Sequence, residues 1–207
     1  MDPTPTESQQ ELRAGVRDLL RRFDLDYWAR HDRDHAFPWE FYDALAGGGW
    51  LGITVPEQYG GGGLGISEAA LLLQEIAASG AAMNGCSAVH LNVFGLHPVV
   101  VHGSEELRAR VLPRAATGEL HVCFGVTEPD AGTDTSRITT RARREGDTYV
   151  VTGRKIWTSK AQEAEKVLLL TRTTPREECE RPTDGMTLLL ADLDRSGART
   201  PPAGWCG

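Results

Sequence analysis

Two threonines, Thr127 and Thr133, share a short segment with acids and turn-forming residues: Gly125-Val126-Thr127-Glu128-Pro129-Asp130-Ala131-Gly132-Thr133-Asp134. It follows an apolar run, Val122-Cys123-Phe124, that reads as the end of a strand. Pro129 fixes φ and has no N–H, and a glycine at 132 permits backbone conformations closed to other residues. Such a loop can aim main-chain N–H groups and the two threonine hydroxyls at a polar ligand. Taken alone, it also reads as a surface turn held by Asp and Thr side chains. A second segment, Gly153-Arg154-Lys155-Ile156-Trp157-Thr158-Ser159, offers a large indole and two further hydroxyls. Without the loop, Trp157 would read as an ordinary strand aromatic in a core.

The elements that must position these residues change character near residue 120. Before it, the periodicity is helical. Ser8 and Glu11 form a capping box, and Leu12, Val16, Leu19, Leu20 and Phe23 share one face. Pro38 suits the first turn of a second helix, which Gly47-Gly48-Gly49 stops. Ser67 is the expected cap of a third helix ending near Gly80. Residues 84–96 read as a buried helix. Ser104 caps a last helix, which Pro113 is expected to kink or split and Gly118 to end. After it, strands are expected over Leu120–Val126, Ile138–Arg144, Tyr149–Val151, Arg154–Ser159, Lys166–Thr173 and Met186–Leu193. The predicted fold is α+β. An N-terminal all-α domain over residues 1–119 precedes a small β-barrel or sandwich-like domain over 120–207.

Composition narrows the function classes. The chain of 207 residues carries a net charge of −7, which argues against a nucleic-acid binder. No apolar run reaches the length of a membrane span. The N-terminal residues resemble neither a secretory signal nor a transit peptide. Cys86, Cys123, Cys179 and Cys206 contain no CxxC pair, so neither a disulfide framework nor a zinc site is expected, and a cytoplasmic location fits. Gly60–Gly63 lacks the Lys-Ser/Thr of a P-loop. His31 and His35 lack a third metal ligand and read as a solvated helix end. No metal is expected.

The motifs together resemble the acyl-CoA dehydrogenases, over nearly the whole chain. Gly125–Asp134 is similar to the first part of that family's signature, whose last position, Arg137, departs from the usual small residue. Val55-Pro56-Glu57-Gln58-Tyr59-Gly60-Gly61 resembles its PExxGG turn, Gly118-Glu119 its GE junction, and Gly153–Trp157 its GxKxW segment.

The resemblance implies FAD as cofactor and an acyl-CoA, or acyl-carrier, thioester as substrate. It implies that Phe124, Gly125, Val126 and Thr127 run along the flavin, with Thr127 bonded to its pyrimidine side. Gly132 and Thr133 are implied where flavin and substrate meet, with Thr133 also contacting substrate. Trp157 is implied against the isoalloxazine, beside Thr158. Ser159 stands where the family often has Thr. The implied reaction removes an α-proton and sends the β-hydrogen as hydride to flavin. Electron-transfer flavoprotein is the implied acceptor, and the intact family member is implied to be a homo-oligomer.

No residue here matches the family's catalytic base, which a second helical domain supplies in most members. The chain reaches Gly207 soon after Met186–Leu193 without resembling that domain. The expectation is a truncated product, inactive alone, ahead of completion by a separate chain. A non-catalytic or vestigial binding fragment, or a flavin oxidase or oxygenase of the same fold, is the alternative.

Overall fold

The structure, a computed structural model, describes residues 4–193. It divides into a helical unit that ends at His121 and a β unit that begins at Val122. A helical part followed by a mixed β-sheet is the α+β order expected.

In the helical unit, α1 (Glu7–Leu20) starts at Thr6 rather than Ser8. The Gln9 N–H donates to the Thr6 hydroxyl at 3.2 Å, and the Thr6 N–H donates to the Gln9 side chain at 3.1 Å. The capping box is therefore formed by Thr6 and Gln9, which satisfy the same two orphan donors two residues earlier. Leu12, Val16, Leu20 and Phe23 are buried, as the helical period requires.

Next comes α2 (Leu25–Asp34), a separate helix that the apolar pattern hardly marks, because only Tyr27 and Trp28 of it are buried. The Asp24 carboxylate caps it, accepting from the Tyr27 N–H at 2.8 Å. His35 lies past its end at φ 51°, so His31 and His35 do not share a helix face. Pro38 takes the cap position of α3 (Trp39–Gly47). Gly65, not Ser67, precedes α4 (Ile66–Ile76), and the Gly65 N–H donates to the Glu68 carboxylate at 3.1 Å.

Wider π-type turns over Ala77–Ala81 and Leu91–Gly95 flank α5 (Ala82–His90). Then follow α6 (His97–His102) and α7 (Glu105–Ala116), the latter capped by the Ser104 hydroxyl. Pro113 does not split α7, which runs on to Ala116. Lacking an N–H, it forgoes the bond to the Ala109 carbonyl, and only Arg114, Ala115 and Ala116 follow it in the helix.

Phe41, Tyr42, Leu45, Leu72, Ile76 and Val89 form the centre of the helical core. Each such side chain contributes about 1.5–3 kcal/mol by burial. Glu75 of α4 is buried and receives Arg13 and Arg17 of α1 at 2.5 Å each, tying the two helices together. The PExxGG-like turn proves to be a packing device. A Cβ on Gly61 would stand 2.1 Å from the Val55 carbonyl oxygen. The Tyr59 hydroxyl donates to the Glu105 carboxylate at 2.8 Å.

In the β unit, β1 (Val122–Gly125), β2 (Arg141–Glu145), β3 (Thr148–Thr152), β4 (Lys166–Arg172) and β5 (Met186–Asp192) form one mixed sheet. Strand β4 organises it. Antiparallel β5 covers one edge, from Lys166↔Asp192 to Arg172↔Met186. Parallel β1 pairs with β4 from Val122↔Lys166 to Gly125↔Leu169, and β2 meets it at Arg141↔Arg172. Because β5 occupies one edge of β4 throughout, β1 and β2 must share the other. Strand β3 closes a hairpin on β2.

The expected strand over Arg154–Ser159 does not form. Its backbone leaves the extended region at Trp157, where φ is 58°, and again at Lys160, where φ is 63°. A positive φ cannot continue a strand. No described helix is long and apolar enough to cross a membrane.

Candidate functional site

Strand β1 carries Phe124 and Gly125 at its end, and the chain leaves the sheet at Val126. Glu128 and Ala131 then close a tight turn around Pro129 and Asp130. Each N–H donates to the other's carbonyl, at 3.0 and 3.2 Å. Pro129, with φ preset, suits the first central position of that turn. Past the turn, the Asp134 carboxylate accepts from the Ser136 N–H at 3.1 Å. The loop is thus ordered by its own backbone and acids. The hydroxyls of Thr127 and Thr133 make no hydrogen bond within the described residues.

Gly132 departs from expectation. Its φ is not positive, and a Cβ there would meet nothing within 4 Å. Neither backbone nor neighbours require glycine; what it preserves is open space beside Thr133.

The second segment lies along the first. The Ile156 N–H donates to the Thr127 carbonyl at 2.9 Å. Beside it, the Lys155 ammonium donates to the Val126 carbonyl at 2.8 Å and to Glu128 Oε1 at 2.9 Å. Glu128 is only 4% exposed. Its other oxygen accepts from the Thr139 N–H at 2.7 Å and the Thr139 hydroxyl at 2.8 Å, while Oε1 also accepts from the Thr140 N–H at 2.9 Å. Burial opposes its charge, but the donors of Thr140, Thr139 and Lys155 outweigh it and pull the pKa down to about 2. For Lys155 burial wins over the attraction of Glu128, so its pKa falls below the ordinary value. Gly153 opens this segment because a Cβ would stand 2.3 Å from Thr140 Oγ1 and 2.6 Å from Thr140 Cα. Only glycine lets the segment pass so close to the Thr140 backbone.

Trp157 is 64% exposed, at the positive φ noted above. It is not a core aromatic. A bulky residue held in the left-handed region costs about 1–3 kcal/mol and persists only where its surroundings fix it. Here the Ile156–Thr127 bond fixes one side. On the other, Glu163 and Ala164 N–H groups donate to the Lys160 carbonyl at 3.2 and 2.9 Å. Thr158 is half-buried and Ser159 exposed, and neither hydroxyl bonds a described residue.

Phe124–Thr127 and Trp157–Ser159 are therefore brought together through Thr127 and Ile156. Gly132 and Thr133 lie beyond the Glu128–Ala131 turn on the same loop. Glu128 and Lys155 join the two segments, a role that the sequence pattern does not reveal. Both stand inside motifs, but their pairing joins two irregular segments 27 residues apart and leaves no periodic signal. Among the described residues, no cluster of His, Cys, Asp and Glu could hold a metal ion.

A helical domain leading into a mixed sheet, with this loop following the first strand, is the acyl-CoA dehydrogenase fold. The chain belongs to the acyl-CoA dehydrogenase family: residues 6–119 match its N-terminal domain and residues 123–204 its middle domain. Acyl-CoA dehydrogenase FadE12 of Mycobacterium tuberculosis is 34% identical over 168 residues, covering 81% of this chain and 43% of that protein. The crystal structure of a probable acyl-CoA dehydrogenase from Mycobacterium abscessus is 31% identical with a TM-score of 0.81, covering 90% of this chain and 48% of that one. The ChsE4–ChsE5 complex of Mycobacterium tuberculosis gives 31% identity and a TM-score of 0.75, over 93% of this chain and 49% of that one. The chain spans about half the length, or less, of the curated relatives it matches.

Proposed function

We propose that residues 1–119 and 120–207 are the helical and middle β domains of an FAD-dependent acyl-CoA dehydrogenase that oxidises the α,β bond of an acyl thioester. The observation that carries this reading is the Ile156–Thr127 hydrogen bond, which sets an exposed, strained Trp157 beside unbonded hydroxyls.

The residues present fit a flavin. An isoalloxazine is flat and aromatic with a hydrogen-bonding rim, and the site offers an indole face, free hydroxyls and open space at Gly132. Phe124, Gly125, Val126 and Thr127 would line one side of it, with the Thr127 hydroxyl donating to the pyrimidine rim. Trp157 would pack on the ring, with Thr158 beside it and the Ser159 hydroxyl available as a donor. Gly132 and Thr133 would face the junction with the thioester, where Thr133 also contacts substrate. Bound FAD supplies the acceptor for the β-hydride. This chain's residues orient and hydrogen-bond. None is assigned as the base, so a carboxylate from outside the matched residues would take the α-proton.

Electron-transfer flavoprotein is the proposed acceptor, the proposed assembly is a homo-oligomer, and the proposed location is the cytoplasm. The test is a purified protein with flavin absorbance near about 450 nm that bleaches anaerobically on adding an acyl-CoA. Protein that stays colourless and takes up no added FAD would overturn the reading. Peroxide formed under air at the rate of turnover would move it to an oxidase.

A further inference from the structure

Arg172, the last residue of β4, is 4% exposed, and no carboxylate among the described residues lies within ion-pair distance of it. A buried guanidinium is costly unless its N–H groups are satisfied. Arg172 bonds four of its five N–H groups, all four to main-chain carbonyls. Nε donates to the Ile138 carbonyl at 3.0 Å, and Nη2 to those of Ser136 at 2.5 Å and Pro182 at 2.8 Å. Nη1 donates to the Asp184 carbonyl at 3.1 Å. The negative ends of four carbonyl dipoles replace a counter-ion.

Two of these carbonyls belong to the stretch that follows Thr133. Asp134 is linked to that stretch by its carboxylate on Ser136 and by its carbonyl, which accepts from the Arg137 N–H at 3.2 Å. The other two belong to the excursion between β4 and β5. We propose that Arg172 is the positioning residue of the ligand loop. It holds the far end of the loop as the Glu128–Lys155 pair holds the near end, and so sets where Thr133 stands toward the thioester. A planar fork can gather carbonyls from two segments at once, whereas an ammonium offers a single point. The inference rests on the flavin reading above for what Thr133 touches, but not for the clamp itself.

The test compares Arg172→Met and Arg172→Lys with wild type in the full-length, FAD-loaded protein. Arg172→Met is expected to raise KM for an acyl-CoA about tenfold or more and to change the visible circular dichroism of the flavin. Arg172→Lys is expected to recover part of both. Wild-type KM and dichroism in Arg172→Met, with only a lower melting temperature, would overturn the proposal by reducing Arg172 to a brace of the sheet. Should Arg172→Met not fold, Arg172→Lys decides on the same two readouts. Should wild type bind no flavin, the functional reading fails instead. Hydrogen exchange at the Arg137 and Ile138 amides then tests the clamp: faster exchange in Arg172→Lys supports it, and wild-type protection overturns it.

Discussion

Replacing Lys155 by methionine tests the join between the two motif segments. The Lys155 and Glu128 side chains are 10% and 4% exposed, so neither can turn to water when its partner is lost. Methionine keeps most of the apolar stem and removes only the ammonium. Val126 then loses the Lys155 donor on its carbonyl, and Glu128 keeps its bonds from the Thr139 N–H, the Thr139 hydroxyl and the Thr140 N–H. Breaking a buried pair from one side costs about 3–5 kcal/mol. The surviving donors place this case near the low end, about 3 kcal/mol. Glu128→Gln should cost a similar amount, because its amide group would face N–H donors. The double variant leaves no unpaired charge, so the cycle should return a coupling of about 2 kcal/mol. Urea unfolding at pH 7 measures all four proteins. A cost below about 1 kcal/mol for Lys155→Met, or a coupling within about 0.5 kcal/mol of zero, would refute the idea that this pair fixes the loop.

The same carboxylate predicts a pH dependence. Its folded pKa lies below the unfolded value, so its contribution is complete above about pH 4.5 and is lost as pH falls toward 2, about 3 kcal/mol in all; Glu128→Gln should flatten the acid limb of stability against pH over that window. Trp157→Ala should leave unfolding within about 1 kcal/mol of wild type, since the ring is exposed, yet weaken FAD retention about tenfold by equilibrium dialysis; unchanged retention would remove the ring from the site. Gly132→Ala should cost less than about 0.5 kcal/mol and show its effect only in ligand affinity; a large loss of stability there would mean the space beside Thr133 is not open. Glu75→Leu should cost about 2 kcal/mol in thermal unfolding, less than a fully buried pair, because Arg13 and Arg17 remain 26% and 58% exposed and can reach water.

Much of the scaffold was legible because it rests on local chemistry. Leu12, Val16, Leu20 and Phe23 repeat at the helical period, so their burial follows from spacing alone. Ser104 announces α7 because few residues cap as well. Caps were misplaced where a competitor stood within two residues. Thr6 outbid Ser8 because Gln9, at the third helical position of the helix that Thr6 starts, could return the bond. Helix α2 was hidden for a different reason: two buried residues do not make a stripe.

The site divides along the same line. The residues proposed to face a ligand were legible as motif types, because hydroxyls and an indole announce what they can bind. What holds them was not. Arg154–Ser159 alternates well enough to read as a strand, yet the positive φ at Trp157 and Lys160 turns it into an irregular segment. No local rule predicts a left-handed tryptophan, because its cost is met by bonds to a distant loop. Glu128 shows the problem most sharply. In sequence it is one more acid in a polar turn, and on an exposed loop it would be solvated. Only the folded sheet brings Thr139, Thr140 and Lys155 to its two oxygens and makes it the most strongly anchored group in the site. A polar side chain's role as ligand contact or internal fastener depends on which donors the fold delivers to it. That explains why Thr127 and Thr133, whose hydroxyls have no partner among the described residues, remain the candidates for touching a ligand while their acidic neighbour does not.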